Sequence, residues 1–131
     1  PASVDGKQCR WPGRGRIISG FGSKANGEKN DGINLAVPEG TSVKAVEAGT
    51  VIYAGNELAN YGNLVLVRHA DGWVSAYAHN KDIVVKRGDK VRRGQTVAHA
   101  GMSGSVSSPQ VHFELRKGAK PVNPLDYLAG A

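Results

Sequence analysis

Apolar and polar residues alternate in short runs along the 131-residue chain, and glycine, proline or asparagine closes most of them. A side-chain period of two marks strands that bury one face. This reading places strands at Arg16–Ser19 and at residues 33–37, 42–46 and 50–54, with Pro38-Glu39-Gly40 and Glu47-Ala48-Gly49 as breaks. The strongest runs are residues 63–69 and 73–79. Asp71-Gly72 between them suits a hairpin turn with positive φ. Further strands are expected at 83–86, around Gly88-Asp89-Lys90-Val91, at 94–98 and at 110–116, with one helical turn at most near Leu125. No segment keeps a helical period over ten or more residues. The pattern therefore predicts an all-β domain, an antiparallel β-sandwich or partly closed barrel with an open groove, short strands and minimal helix. Residues 1–10 lack periodicity and read as a flexible N-terminal tail, leaving 11–131 as a single domain.

Composition narrows the class. Hydrophobic content of 40% and charged content of 21% are ordinary for a globular chain long enough to have its own core. Eighteen glycines against two phenylalanines fit many tight turns. Cys9 is the only cysteine, so neither an internal disulfide nor a cysteine metal cluster can form. No apolar run approaches the length of a membrane span. Residue 1 is Pro rather than Met, which leaves room for a signal, anchor or upstream domain before this sequence.

A net charge of +6 favours acidic partners. The basic residues form two clusters, Arg10, Arg14 and Arg16, then Lys86, Arg87, Lys90, Arg92 and Arg93. Neither is a long block, and no aromatic-plus-basic RNA motif accompanies them, so nucleic acid is not expected as a partner. The clusters read first as a plain solvated face, and after that as a surface for an acidic protein or an anionic polymer.

Chemistry-bearing candidates sit at strand ends and in glycine-flanked loops: Asn30, Asn34, His79, Gln110 and His112. Strand alternation sends Gln110 and His112 to one face, and Val111 and Phe113 to the other. A hydrolytic zinc site needs three strong ligands and an open water position. His79 and His112 offer two, and a primary amide is a weak donor. The same two histidines read equally as hydrogen-bonded structural residues. His69 and His99 have no partner at motif spacing and read as ordinary surface or turn histidines. No G-x-S-x-G elbow or phosphate-cradling loop is present, and Ser103 and Ser105 read as turn residues. Gly88-Asp89-Lys90-Val91 with Gly94-Gln95 also occurs in lipoyl carrier domains, and reads here as scaffold.

Taken together, Ser19-Gly20-Phe21-Gly22, Asn30-Asp31-Gly32-Ile33-Asn34, Gly49-Thr50-Val51, Tyr61-Gly62-Asn63, Tyr77-Ala78-His79 and Val111-His112-Phe113-Glu114 resemble the LytM, or M23 peptidase, family. The likeness runs in unbroken order from about Trp11 to Leu128. Active members are zinc endopeptidases of bacterial cell walls, with H-x-x-x-D, a histidine after Tyr-Ala, and H-x-H before Phe-Glu. Carried over by position, the resemblance puts Asn30 and Asn34 where a zinc histidine and aspartate would stand. Gln110 falls where a catalytic histidine would stand. His79 keeps the other catalytic position and His112 the third zinc position.

Such a degenerate set resembles the non-enzymatic NlpD/EnvC/DipM type of LytM domain. That resemblance implies no catalytic residue, no metal and no cofactor. It implies a monomer that binds and activates an N-acetylmuramoyl-L-alanine amidase for septal peptidoglycan splitting. The setting implied is periplasmic, with outer-membrane anchoring through a region outside this sequence. Asn30, Asn34, His79, Gln110 and His112 would then line a groove for the partner. The alternative is a module that holds peptidoglycan without cutting it, and a surviving zinc endopeptidase comes third.

Overall fold

The computed structural model describes residue 4 and residues 8–130. Twelve strands follow in order: β1 (Arg16–Ser19), β2 (Gly22–Ser23), β3 (Lys29–Asn30), β4 (Ile33–Ala36), β5 (Ser42–Lys44), β6 (Gly49–Gly55), β7 (Asn63–Arg68), β8 (Trp73–Ile83), β9 (Lys90–Val91), β10 (Thr96–Ala100), β11 (Gln110–Lys117) and β12 (Lys120–Val122). Among the described residues helix is confined to three single 3₁₀ turns. Ten strands form one antiparallel sheet along the path β1-β4-β11-β8-β7-β6-β9. β10 bridges β8 to β5, β12 pairs with β11, and the path does not close into a barrel. β2 and β3 make a separate small hairpin. Among the described residues no helix is long and apolar enough to cross a membrane.

Alternation decides which face is core. From β4, β11, β8 and β7 the side chains of Ile33, Leu35, Val111, Phe113, Leu115, Tyr77, Val65 and Val67 point the same way, and all are fully buried. They join Val43, Ala45, Val46 and Val97 in the principal core. Tyr77 and Phe113 meet with ring centroids 5.5 Å apart. The opposite face of the sheet stays open and carries a smaller cluster, Leu64, Ala76 and Ala78, beneath Tyr53, Tyr61 and Leu66. Gly32 allows β4 and β11 to lie close, since a Cβ there would come within 2.1 Å of the Phe113 carbonyl oxygen.

The expected hairpin forms between β7 and β8. Its turn places Asp71 at φ 59° and Gly72 at φ 80°, and the His69 N–H bonds the Trp73 carbonyl. β8 does not stop at residue 79 but runs on to Ile83, because β10 pairs with residues 80 to 83. The separate strand expected at 83–86 is accordingly absent. A turn takes its backbone instead: Lys86 N–H bonds the Asp89 carboxylate, and Asp89 N–H bonds the Lys86 carbonyl.

Two further expectations are corrected. Cys9 is fully buried, with its N–H on the Tyr127 carbonyl and its carbonyl accepting from Ala129. Arg10 N–H bonds Val46 O, and Val4 is also buried, so the expected tail does not extend unbroken through residue 10. Residues 1–3 and 5–7 lie outside the described residues. Burial, then the neighbouring Glu47, push the Cys9 thiol up to about 11, which makes it unreactive.

His69, expected on the surface, is buried inside a polar chain that starts and ends on one stretch of backbone. Val46 N–H donates to the Tyr77 hydroxyl at 3.0 Å, and Tyr77 lies 2.8 Å from the Ser75 hydroxyl. Ser75 lies 2.8 Å from His69 Nε2, and His69 Nδ1 lies 2.7 Å from Ala48 O. This chain ties residues 46–48 to β8. Each link satisfies a group that burial would otherwise penalise.

Candidate functional site

All five candidate residues converge on the open face of the sheet. Asn30 ends β3, Asn34 lies on β4, and Gln110 and His112 lie on β11. The β4–β11 register sets His112 directly opposite Asn34. His79 reaches the same place from β8, its ring centroid 6.0 Å from that of His112. Its backbone sits in the left-handed region at φ 68°, which is unusual outside glycine. Nδ1 of His79 donates to the Ser103 carbonyl at 2.8 Å, fixing the ring. Burial, and then the neighbouring His112, lower the His79 pKa, while the bond to Ser103 opposes them.

The amides are joined in one directed chain. Gly32 N–H can only donate, so the Asn30 oxygen facing it at 3.0 Å is an acceptor and the Asn30 orientation is fixed. Asn30 Nδ2 then donates to Ser19 Oγ at 2.9 Å and to Asn34 Oδ1 at 3.1 Å. Asn34 Nδ2 donates to Gln110 Oε1 at 2.8 Å. His112 Nδ1 lies 3.0 Å from the same Asn34 oxygen, and its Nε2 lies 2.7 Å from Glu114 Oε2. Both ring nitrogens therefore face oxygen acceptors.

The sequence candidates omitted half of this network. Glu114 is almost fully buried and takes hydrogen bonds from His112, from the Tyr61 hydroxyl at 3.0 Å, and from Arg116 at 2.6 and 2.8 Å. Burial alone would raise its pKa, but the hydrogen bonds from His112 and Arg116 outweigh it and hold the carboxyl down at about 2. Arg116 also reaches Asp31 at 3.7 Å. The signal was available: the alternation that puts Gln110 and His112 on one face puts Glu114 and Arg116 there too. Ser103 had a weaker signal. Its hydroxyl donates to Asn80 O at 2.6 Å and accepts from Asn63 N–H, which pins the 101–105 loop beside His79. His99 does not join the site and pairs with Asp82 at 2.6 Å on the surface.

These donors do not suit zinc. Asn30 and Asn34 offer only amides and His112 a single imidazole, and the amide oxygen at 34 already accepts from Asn30 and faces His112 Nδ1. Each nitrogen of His112 lies within 3.0 Å of an oxygen, so neither is open to a metal. Among the described residues no group of three His, Cys, Asp or Glu side chains could hold a metal ion.

Two shallow depressions open over this network, one of about 180 Å³ bounded by Asn30, Tyr61, His79, His112 and Glu114, the other about 250 Å³ beside Asn34 and Gln110. A larger, mostly apolar cleft of about 400 Å³ adjoins the first, sharing Tyr61 and Glu114.

The profile of peptidase family M23 matches residues 28–124. The chain is 48% identical over 129 residues to the cell division protein DipM of Caulobacter vibrioides, covering 94% of this chain and 21% of that one. It is 44% identical over 119 residues to the murein hydrolase activator NlpD of Escherichia coli, covering 91% and 31%. It thus spans about a fifth to a third of the length of these relatives. A zinc-containing peptidase from Vibrio cholerae superposes with a TM-score of 0.82 at 30% identity, over 91% of this chain and 39% of that one.

Proposed function

The chain belongs to peptidase family M23, and from that premise we propose that it is a non-catalytic LytM domain whose former active-site face binds and activates a cell-wall amidase. The observation that carries this reading is the closed hydrogen-bond network through Asn30, Asn34, Gln110, His112 and Glu114. On this reading it stands where active members of the family would hold zinc, with groups that satisfy one another. A site that had merely lost its metal would leave buried donors and acceptors unpaired, at a cost of about 1–3 kcal/mol each.

Support also comes from the relatives, named as a murein hydrolase activator and a cell division protein rather than as hydrolases. On this reading the described residues, Cys9 and Arg10 included, act as one domain, set in the periplasm and held near the outer membrane by a region beyond this sequence. Docking of an amidase segment on the open face shifts the amidase toward its active state, by as much as its preference for that state allows. The domain itself passes no proton and holds no metal.

The test is reconstitution. The full-length protein is mixed with each purified N-acetylmuramoyl-L-alanine amidase of its organism, and release of dye from labelled sacculi is followed. A several-fold rise in amidase rate, with none from the protein alone, is expected. Absence of both stimulation and binding for every amidase would sink the proposal.

A second reading, a module that holds peptidoglycan without cleavage, is favoured by the net charge of +6. Sedimentation with sacculi at low and high salt separates the two, since retention without amidase binding supports only the second.

A further inference from the structure

The sheet path ends at β9, and that edge carries most of the chain's charge. Lys86, Arg87, Lys90, Arg92 and Arg93 stand on or beside β9, and Arg10 lies over Gly94, where a Cβ would come within 2.6 Å of its guanidinium. Against these six cations stand two carboxylates, Asp89 and Glu47, which leaves +4 of the chain's +6 on this edge. Of the 17 Lys and Arg and 11 Asp and Glu in all, eleven and nine remain elsewhere, close to balance. Both carboxylates of the edge are already engaged. Asp89 accepts from Lys86 N–H at 3.0 Å, and Glu47 accepts from Ala48 N–H and from Arg93 at 3.1 Å. Lys86, Arg87, Lys90 and Arg92 are exposed and make no ion pair with a described residue.

Two tight turns hold these cations out. In the turn 86–89 the Asp89 N–H bonds the Lys86 carbonyl, and the Asp89 carboxylate takes the Lys86 N–H. In the turn 92–95 the Gln95 N–H bonds the Arg92 carbonyl, and the Gln95 side-chain oxygen takes the Arg92 N–H at 3.0 Å. Each turn is closed by backbone and by side chain, so the charges stand on a fixed support. Protection of a sheet edge does not account for them, since β9 has two residues and offers little to an added strand. None of the cavities described above is bounded by them, so they form a protruding edge rather than the wall of a small-anion site. Val85 packs on the core, its neighbours Val84 and Lys86 turn outward, and Val84 is 51% exposed. A rigid row of cations beside an exposed aliphatic side chain fits a flat anionic boundary better than it fits a hydrated polymer strand.

We propose that the β9 edge rests on an anionic lipid surface, with Lys86, Arg87, Lys90 and Arg92 among its phosphate headgroups. The amide network lies toward the other end of the sheet, on β4 and β11, with His79 on β8. Three strand pairings separate β8 from β9, about 14 Å at the usual strand spacing. The lipid surface is therefore met by a different part of the molecule from the one assigned to an amidase, and the inference does not depend on that assignment.

Cosedimentation of the purified 131-residue chain with lipid vesicles tests it. Vesicles of phosphatidylethanolamine with about a quarter phosphatidylglycerol should retain the chain at low salt and release it at high salt. Neutral phosphatidylcholine vesicles should not retain it. Lys86→Glu with Arg87→Glu, and separately Lys90→Glu with Arg92→Glu, should each weaken retention about tenfold or more, because each cation near such a surface raises partition several-fold. Lys24→Glu with Lys120→Glu makes the same change in net charge at exposed positions away from β9, and should weaken it less than about threefold. Every substitution is at an exposed side chain, and thermal melts by circular dichroism check that each variant folds. No retention on the anionic vesicles, equal retention on the neutral ones, or an equal loss in the Lys24 and Lys120 pair would overturn the proposal. Retention by purified sacculi that the β9 pairs abolish, with none on anionic vesicles, would make the occupant the wall polymer and overturn it as well. Each of these results leaves the amidase reading untouched, since no amidase is present.

Discussion

Replacing Glu114 by glutamine tests whether the network on the open face stabilises the fold. In the native protein the Glu114 carboxyl is held at about 2, against an ordinary value near 4.5. Because the folded-state pKa is depressed, the stabilisation is complete above the unfolded value and is lost as pH falls through the folded one. At about 1.4 kcal/mol for each tenfold change in protonation, the difference amounts to about 3 kcal/mol, of which about 2 is gone by pH 3. The side chain is only 3% exposed, so solvent screening removes little of this. Glutamine mimics the protonated acid in shape and removes the charge. Urea unfolding of the wild type and Glu114→Gln at intervals from pH 6 to pH 3 gives the difference in stability. That difference should start near 3 kcal/mol and fall by about 2 kcal/mol across the series, the other carboxylates cancelling in the subtraction. A difference that stays constant with pH would refute the reasoning, because it would mean that the charge on Glu114 contributes nothing beyond its shape.

Three more outcomes follow from the geometry. Wild-type protein purified without added metal should carry no stoichiometric zinc by elemental analysis, whereas the pair Asn30→His with Asn34→Asp should gain about one equivalent through the restored ligand set with His112. Equal zinc in both proteins would contradict the assignment of the amides. Tyr77→Phe should cost about 1–3 kcal/mol in urea unfolding, since it strands the buried Val46 N–H and leaves the Ser75 hydroxyl with His69 alone. Gly32→Ala should destabilise by about 2 kcal/mol or more, because the added Cβ meets the Phe113 carbonyl oxygen in a fixed backbone. A melting temperature equal to that of the wild type would show that β4 and β11 can part there without loss.

Strands with one clean buried face were legible because alternation and burial agree. β4, β7, the first half of β8 and β11 appear where Ile33, Val65, Tyr77 and Phe113 demand an interior side. Legibility fails where a contact that alternation does not encode decides. The strand expected at 83–86 gives way to a turn because the Asp89 side chain captures Lys86 N–H. Cys9 is drawn into the fold by backbone bonds to residues 127 and 129, which no local pattern announces. His69 looks like a turn histidine until Ala48 and Ser75 come up against its two nitrogens. At the site the five candidates did converge. What a list of candidates hides is that Glu114 and Arg116, two and four residues beyond His112, supply the charges.

Asparagine at 30 and 34 does more than withhold strong zinc donors. A carboxylate at 34 could accept from His112 and Asn30 but could not donate to Gln110, and a second imidazole at 30 would lack the two amide protons that reach Ser19 and Asn34. Each amide both gives and takes, so the chain from Gly32 through Asn30 and Asn34 to Gln110 is satisfied without an ion. Glu114 then terminates the His112 branch, and Arg116 balances its charge. A face built this way holds its shape with no metal bound, and on the proposed reading a partner would meet it already organised. The entropy that a loose, metal-free pocket would lose on docking is lost instead when the chain folds. On that argument the substitutions at 30, 34 and 110 belong together. Changing Asn34 alone to alanine should loosen Asn30, Gln110 and His112 at once, and amide exchange along β4 and β11 should quicken together. Exchange that quickened at position 34 alone would break the argument.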